Sequence, residues 1–275
     1  MRYPLNRLSL LAAIPVLLGQ SGRLEFQPVP ALRIQERLAA VPDKLAERRA
    51  MIESLFQQSG CEGDRVTTLK VPHSAEPDVI CTLSGEDSNA GVIVVGAHYD
   101  HVPTGRGAVD DWSGAALLQS LYETLKSRPP RHRFAFVAFA GEEQGMHGSG
   151  EYVHRLSKPE RAEIRAMINL ECLGTTPPKV WASRADKRLL AAYVTAAQAL
   201  GIQAAGSNVD NVGDDDSRPF LEAKVPVLTI HSITQETFGI LHSARDQVQA
   251  IHPDDYYLAY RLSAALLAYL DAQRP

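Results

Sequence analysis

The sequence predicts an α/β protein: a single-domain α/β/α sandwich around a central mixed, mostly parallel twisted sheet. Three observations carry this. Val92–Ala97, Arg133–Ala140, Arg165–Glu171 and Val225–His231 are apolar-rich runs without strict alternation, the mark of strands covered on both faces. Segments with apolar residues at helical spacing lie between them, as in Ser113–Ser127 with Ala116, Leu117, Leu121 and Leu125. The 275 residues, 45% hydrophobic and 22% charged, have ordinary globular composition and suffice for one large domain.

The elements follow in order. Residues 31–40 and 43–59 read as helices, the second closed by Gly60. Arg65–Val71 and Val79–Leu83 read as strands joined by a Pro/Ser/Glu turn. Val92–Ala97 is a buried strand, and the helix Ser113–Ser127 ends before Pro129-Pro130. Arg133–Ala140 is a strand and 149–156 a short helix; Arg165–Glu171 and the shorter Val180–Ala182 are strands. A helix over Asp186–Leu200 stops at Gly201, Val225–His231 is a further buried strand, and Tyr256–Ala272 closes the chain as a helix. Strands alternating with helices imply parallel crossovers, whose sites gather at the carboxyl ends of the strands.

Charge and cysteine content exclude several classes. A formal net charge of −4 without a Lys/Arg-rich block argues against nucleic-acid binding. Cys61, Cys81 and Cys172 are too few and too scattered for a cysteine zinc site, and a Cys61–Cys81 bridge leaves a free thiol. Arg2 and Arg7 precede the apolar run Leu8–Leu18, which is too short for a comfortable membrane span and fits a secretory signal. A secreted or periplasmic location is therefore expected, with no stable membrane span. Nucleophile-elbow, His-Glu-x-x-His, Walker and dinucleotide motifs are absent from the sequence.

The polar candidates fall at strand ends. Glu142-Glu143 follow the strand that ends at Ala140. Adjacent residues in extended chain point to opposite sides, so one carboxylate can hold a metal while the other moves a proton. His98 and Asp100 lie two apart after Val92–Ala97, so Asp100 is placed to accept the second ring N–H of a ligating His98. In Gly107-Ala-Val-Asp110-Asp111-Trp-Ser113-Gly, Asp110 is a candidate metal bridge, while Asp111 or Ser113 suits capping of the next helix. Glu171 and His231 each end a strand.

His98-Tyr-Asp100, Asp110-Asp111-x-Ser-Gly, Gly-Glu142-Glu143-Gln-Gly, Asn169-Leu-Glu171-x-Leu-Gly and His242-Ser-x-x-Asp246 occur in this order. The ordered set resembles the dinuclear-zinc aminopeptidases, a family that includes secreted bacterial leucyl aminopeptidases and aminopeptidase Y and is related to glutamate carboxypeptidase, transferrin receptor and glutaminyl cyclase. The resemblance covers roughly 65–260.

It implies a zinc-exopeptidase-like fold and two Zn2+ ions bridged by Asp110. His98 and Glu171 would complete one site, Glu143 and His242 the other. Glu142 would be the general acid/base acting on a zinc-held water, with peptide or protein N-termini as substrate. The resemblance favours His242 over His231, because only His242 carries the following Ser243 and Asp246. Asp100, Asp111, Asp216 and Asp246 become supporting residues; Asp216 aligns with an element of the family that precedes Pro219-Phe220. Glu171 departs from the usual Asp, so an altered geometry is expected at the His98/Glu171 site.

The implied organisation is a signal peptide over 1–21, an N-terminal helical segment packed on the domain over 22–60, and a zinc peptidase domain over 61–275. Trp112, Phe238, Ile240 and Leu241 are candidates to line an apolar side-chain pocket. Two other readings belong to the same scaffold: a glutaminyl cyclase with a single zinc, and a non-catalytic binding domain, which would have eroded ligands. His101, His132, His147, His154 and His252 are expected in loops or at the surface, and Cys172 in the core.

Overall fold

A computed structural model describes residues 26–210 and 213–273; the expected signal segment lies outside them. Two helices, α1 (Ala31–Ala39) and α2 (Leu45–Gln58), precede strands β1 (Val66–Leu69), β2 (Asp78–Leu83) and β3 (Val92–His98). Then come α3 (Ser113–Lys126), β4 (Arg133–Phe139), α4 (His147–Arg155), α5 (Lys158–Glu163) and β5 (Ile164–Glu171). The chain continues through β6 (Lys179–Val180), α6 (Lys187–Ala199), α7 (Ser217–Glu222), β7 (Val227–His231) and α8 (Pro253–Ala272).

The strands form one seven-stranded sheet in the order β1-β2-β4-β3-β5-β7-β6. Its centre, β4-β3-β5-β7, is parallel; β2, β1 and β6 join antiparallel at the edges. The apolar strands behave as expected of a doubly covered sheet. Val92 and Val94 face one core with Val137, Phe139 and Phe220; Ile93 and Val95 face the larger core with Leu117, Leu121 and Leu266. Helix α5 was not anticipated. It is short and charged, and a reciprocal Ser157–Glu160 capping box starts it. None of the described helices is long and apolar enough to cross a membrane.

Cys61, just past α2, is disulfide-bonded to Cys81 in β2. A bridge across a separation of 20 residues is worth about 3 kcal/mol in the chain-entropy model. It ties the N-terminal helices to the sheet and leaves Cys172 as the free thiol.

Candidate metal centre

Register brings the carboxyl ends of the parallel strands level. His98 pairs with Phe139 across β3–β4, and Glu171 with His231 across β5–β7. The segments that leave these ends carry the remaining candidates. Asp110 is central and buried. Its Oδ1 lies 3.1 Å from His98 Nε2, and its Oδ2 lies 3.3 Å from His242 Nε2. Glu171 Oε1 is 3.4 Å from His98 Nε2, and Glu143 Oε2 is 3.0 Å from His242 Nε2. Two ligand-like groups result, His98/Asp110/Glu171 and Asp110/Glu143/His242, each with its donor atoms within 4.8 Å of one another. Glu142 belongs to neither group; its Oε2 stands 3.9 Å from His98 Nε2.

The donor set fits zinc, which takes imidazole nitrogen and carboxylate oxygen. The charge balance fits a cation as well. Burial raises the pKa of Glu142 and Glu171, and raises that of Glu143 to about 7, with neighbouring carboxylates adding to each shift. Asp110 goes the other way: its contacts with His242 and His98 outweigh burial and hold its pKa down. Glu143 Oε1 is buried without a hydrogen-bond partner. A cluster of carboxyls that resist ionisation together, with an orphaned oxygen among them, is a place where a cation lowers the energy.

Supporting residues hold the candidate ligands in place. Asp246 accepts from the backbone N–H of Val109 (2.7 Å) and of Asp110 (3.3 Å). Asp111 Oδ1 accepts from Gly114 N and Cys172 N, so it ties the first turn of α3 to the residue after Glu171. The Asp100 carboxylate differs from the expectation. The ring Nδ1 of His98 lies 3.2 Å from the Asp100 backbone carbonyl and 3.6 Å from its carboxylate. The carboxylate instead accepts from Glu142 N (3.1 Å) and Glu143 N (3.2 Å), pinning the glutamate loop to the His98 strand.

The extra methylene of Glu171 does not pull it away from His98. Oε1 keeps the His98 contact while the Asn169 amide donates to Oε2 at 3.1 Å. Asp216 is fully buried; burial pushes its own pKa well up, and its carboxyl helps to raise that of Glu142. At the start of α7 the side chain of Asp215 accepts from Ser217 N.

Other expectations are corrected. Trp112 is fully buried under Arg48 and does not line the cleft over the centre. His132 is buried, with its ring 3.2 Å from Asp271. Cys172 is buried, but its thiol reaches Glu171 Oε1 at 3.4 Å because a positive φ of 50° turns the chain there. His231 stands in the cleft wall as a neutral ring: Nδ1 accepts from Ile233 N, and burial lowers its pKa to about 4.

Over the centre opens a cleft of about 430 Å3. Met146, Trp181, Val209, Ile233, Phe238 and Leu241 supply its apolar surface. Phe238 and Leu241 were expected; Trp181, Val209 and Ile233 come from segments with no site-like pattern.

Asp78 props the base of the glutamate loop from below. It is fully buried and accepts the Ala140 N–H at 2.9 Å, two residues before Glu142. Burial, helped by Asp100 and Glu151, raises its pKa from 3.8 to about 8. Between those values the folded protein keeps a proton that the unfolded chain has released, so stability falls as pH rises through the window. Asp78→Asn removes this titration. Its denaturation midpoint is expected to lose less than that of the wild type between mildly acidic and mildly alkaline pH. Equal pH slopes in the two proteins would refute the assignment.

Comparison with known proteins places the chain in a family. The family model described as Peptidase family M28 matches residues 78–267. Aminopeptidase YwaD of Bacillus subtilis is 30% identical over 171 residues, which cover 58% of this chain and 37% of YwaD. The chain thus spans little more than a third of that curated relative. Among solved structures, the zinc aminopeptidase BSAP from Bacillus subtilis superposes with a TM-score of 0.64 at 26% identity, over 70% of this chain and 49% of that one. A glutaminyl cyclase from an Acidobacteriales bacterium superposes with a TM-score of 0.70 at 22% identity, over 93% of this chain and 98% of that one, a likeness of fold. With the match covering well over half of its length, the chain belongs to Peptidase family M28.

Proposed function

We propose that the protein is a zinc-dependent aminopeptidase that hydrolyses N-terminal peptide bonds. One observation carries the reading: the two oxygens of Asp110 face two separate histidine–carboxylate pairs, with Glu142 beside them and outside both. In this reading His98, Asp110 and Glu171 hold one zinc, and Asp110, Glu143 and His242 the other. Zinc in such a site polarises a carbonyl and lowers the pKa of water towards about 7. The chain's own contribution is proton handling and placement. Glu142 takes the proton of the attacking water and delivers it to the leaving amine. Asp100 fixes the backbone of that glutamate, and Asp246 fixes that of Asp110.

The wealth of carboxylates around the cleft suits a free α-ammonium group. Its apolar wall of Trp181, Val209, Ile233, Phe238 and Leu241 suits an apolar N-terminal side chain. Export is supported by the disulfide, since such bridges persist in oxidising compartments.

Cyclisation of N-terminal glutamine is the second reading, favoured by the near full-length likeness to the glutaminyl cyclase. A binding domain without catalysis is disfavoured by the intact set His98, Asp110, Glu142, Glu143, Glu171 and His242.

One experiment separates the readings. Zinc per chain is counted, and release of leucyl- or phenylalanyl-arylamides is measured beside cyclisation of a glutaminyl peptide, with and without chelator. The expected result is two zincs and chelator-sensitive arylamide release. One zinc with cyclisation alone reverses the choice, and zinc without either activity leaves the binding reading.

A further inference from the structure

The stretch that matches the family begins at residue 78, yet α1 and α2 lie against the two arms that carry His98 and Asp110. Arg48 in α2 is the point of contact. Its side chain is fully buried, an unusual place for an arginine with no carboxylate in salt-bridge contact among the described residues. It is instead bound by backbone carbonyls. Nε donates to Pro42 O at 3.0 Å; Nη1 donates to Tyr99 O at 3.1 Å and to Gly107 O at 3.3 Å; Nη2 donates to Arg106 O. The guanidinium also lies 5.7 Å from the Trp112 ring centroid.

These acceptors are informative. Tyr99 directly follows the His98 ligand and precedes Asp100, whose carboxylate grips the glutamate loop. Arg106 and Gly107 open the segment that carries Asp110. Gly107 has φ +52°, and a side chain there would run into His101, so the turn has little freedom to re-form around a displaced arginine. Further links run along the same seam. The Trp112 indole N–H donates to Arg37 O at 3.2 Å, and the Arg106 guanidinium reaches Val41 O at 2.7 Å and Asp43 at 2.8 Å.

We propose that Arg48 is a positioning residue for the metal centre: one planar guanidinium, supplied by the N-terminal helices, sets the spacing between the His98 arm and the Asp110 arm. The inference rests on the two-zinc reading above. Only an arginine fork serves both arms together, because a lysine presents its donors from a single nitrogen. Burial lowers the Arg48 pKa to about 10, with Asp246 and Asp100 acting against it, so the group remains a cation at neutral pH.

The test uses the full chain carrying Arg48→Lys, which retains the charge and loses the fork. Zinc affinity is measured by competition with a chromophoric chelator, beside kcat, KM and the unfolding midpoint of the metal-stripped protein. A folded Arg48→Lys protein is expected to bind zinc about tenfold more weakly, the scale of a lost outer partner, with kcat reduced and KM little changed. Wild-type zinc affinity in that variant overturns the proposal.

If Arg48→Lys does not fold, Arg48→Gln replaces it, keeping a planar donor and losing the fork that reaches both arms. It too is expected to weaken zinc binding, and unchanged affinity again overturns the proposal. A wild-type protein that binds no zinc fails the functional reading instead, and is seen before any variant is made.

Discussion

Glu142→Gln is expected to lower kcat by at least about 10²-fold while zinc content stays at the wild-type level, the effect of losing a general acid/base. The two readouts separate because of where the side chain sits. Glu142 lies outside both ligand groups, so an amide in its place removes no donor from either. Its backbone N–H is held by Asp100 whatever the side chain, so the loop and the neighbouring Glu143 stay in place. Glutamine matches glutamate in size but cannot take up and return a proton. KM should change little, since the cleft walls are untouched. Elemental analysis of the dialysed variant, run beside arylamide hydrolysis, checks both halves. Turnover at the wild-type rate would move the proton transfer to another residue.

Asp110→Ala should produce the opposite pattern, loss of metal first and of activity as a consequence. Asp110 alone contributes to both groups, one oxygen to each. Truncation therefore removes a donor from each site and the charge that offsets two histidines. The loss in affinity should exceed the ~10–100-fold typical of an outer partner. The fold should survive, because the Asp246 carboxylate bonds the backbone N–H of residues 109 and 110 and not the side chain. His98→Ala provides the contrast, since it touches one group and leaves Asp110, Glu143 and His242 intact. An Asp110→Ala protein that retains two equivalents of zinc after dialysis would refute the shared-ligand role.

Much of this architecture was legible in the chain because its strongest signals are local. A strand buried on both faces must be apolar throughout, so β3, β4, β5 and β7 stood out. The polar residues at their ends, His98, Glu142-Glu143, Glu171 and His231, stood out by contrast. The ordered motifs then placed Asp110 and His242. What stayed hidden depends on distant segments. Arg48 reads as a solvated position in a charged helix until Tyr99 and Gly107 are folded against it. Trp181, Val209 and Ile233 line the cleft from three segments far apart in the chain, with Trp181 placed by the pairing of β6 to β7. Asp100 looked like a partner for the His98 ring, whereas its carboxylate serves the glutamate backbone, a pairing visible only once β3 and β4 lie side by side. Helix α5 was a local miss, and its Ser157–Glu160 signal was there to be read.

The Cys61–Cys81 bridge also determines how the molecule ages. Both half-cystines are fully buried, so a thiolate in solution has no line of attack on either sulfur while the fold is closed. Exchange must wait for an opening of the seam between the N-terminal helices and the sheet, where the bridge lies. The rate at which an external thiol consumes the bridge therefore reports how often that seam opens. Once cut, the N-terminal helices lose the cross-link that returns them to the sheet, and the seam that had been slow to open reopens more readily.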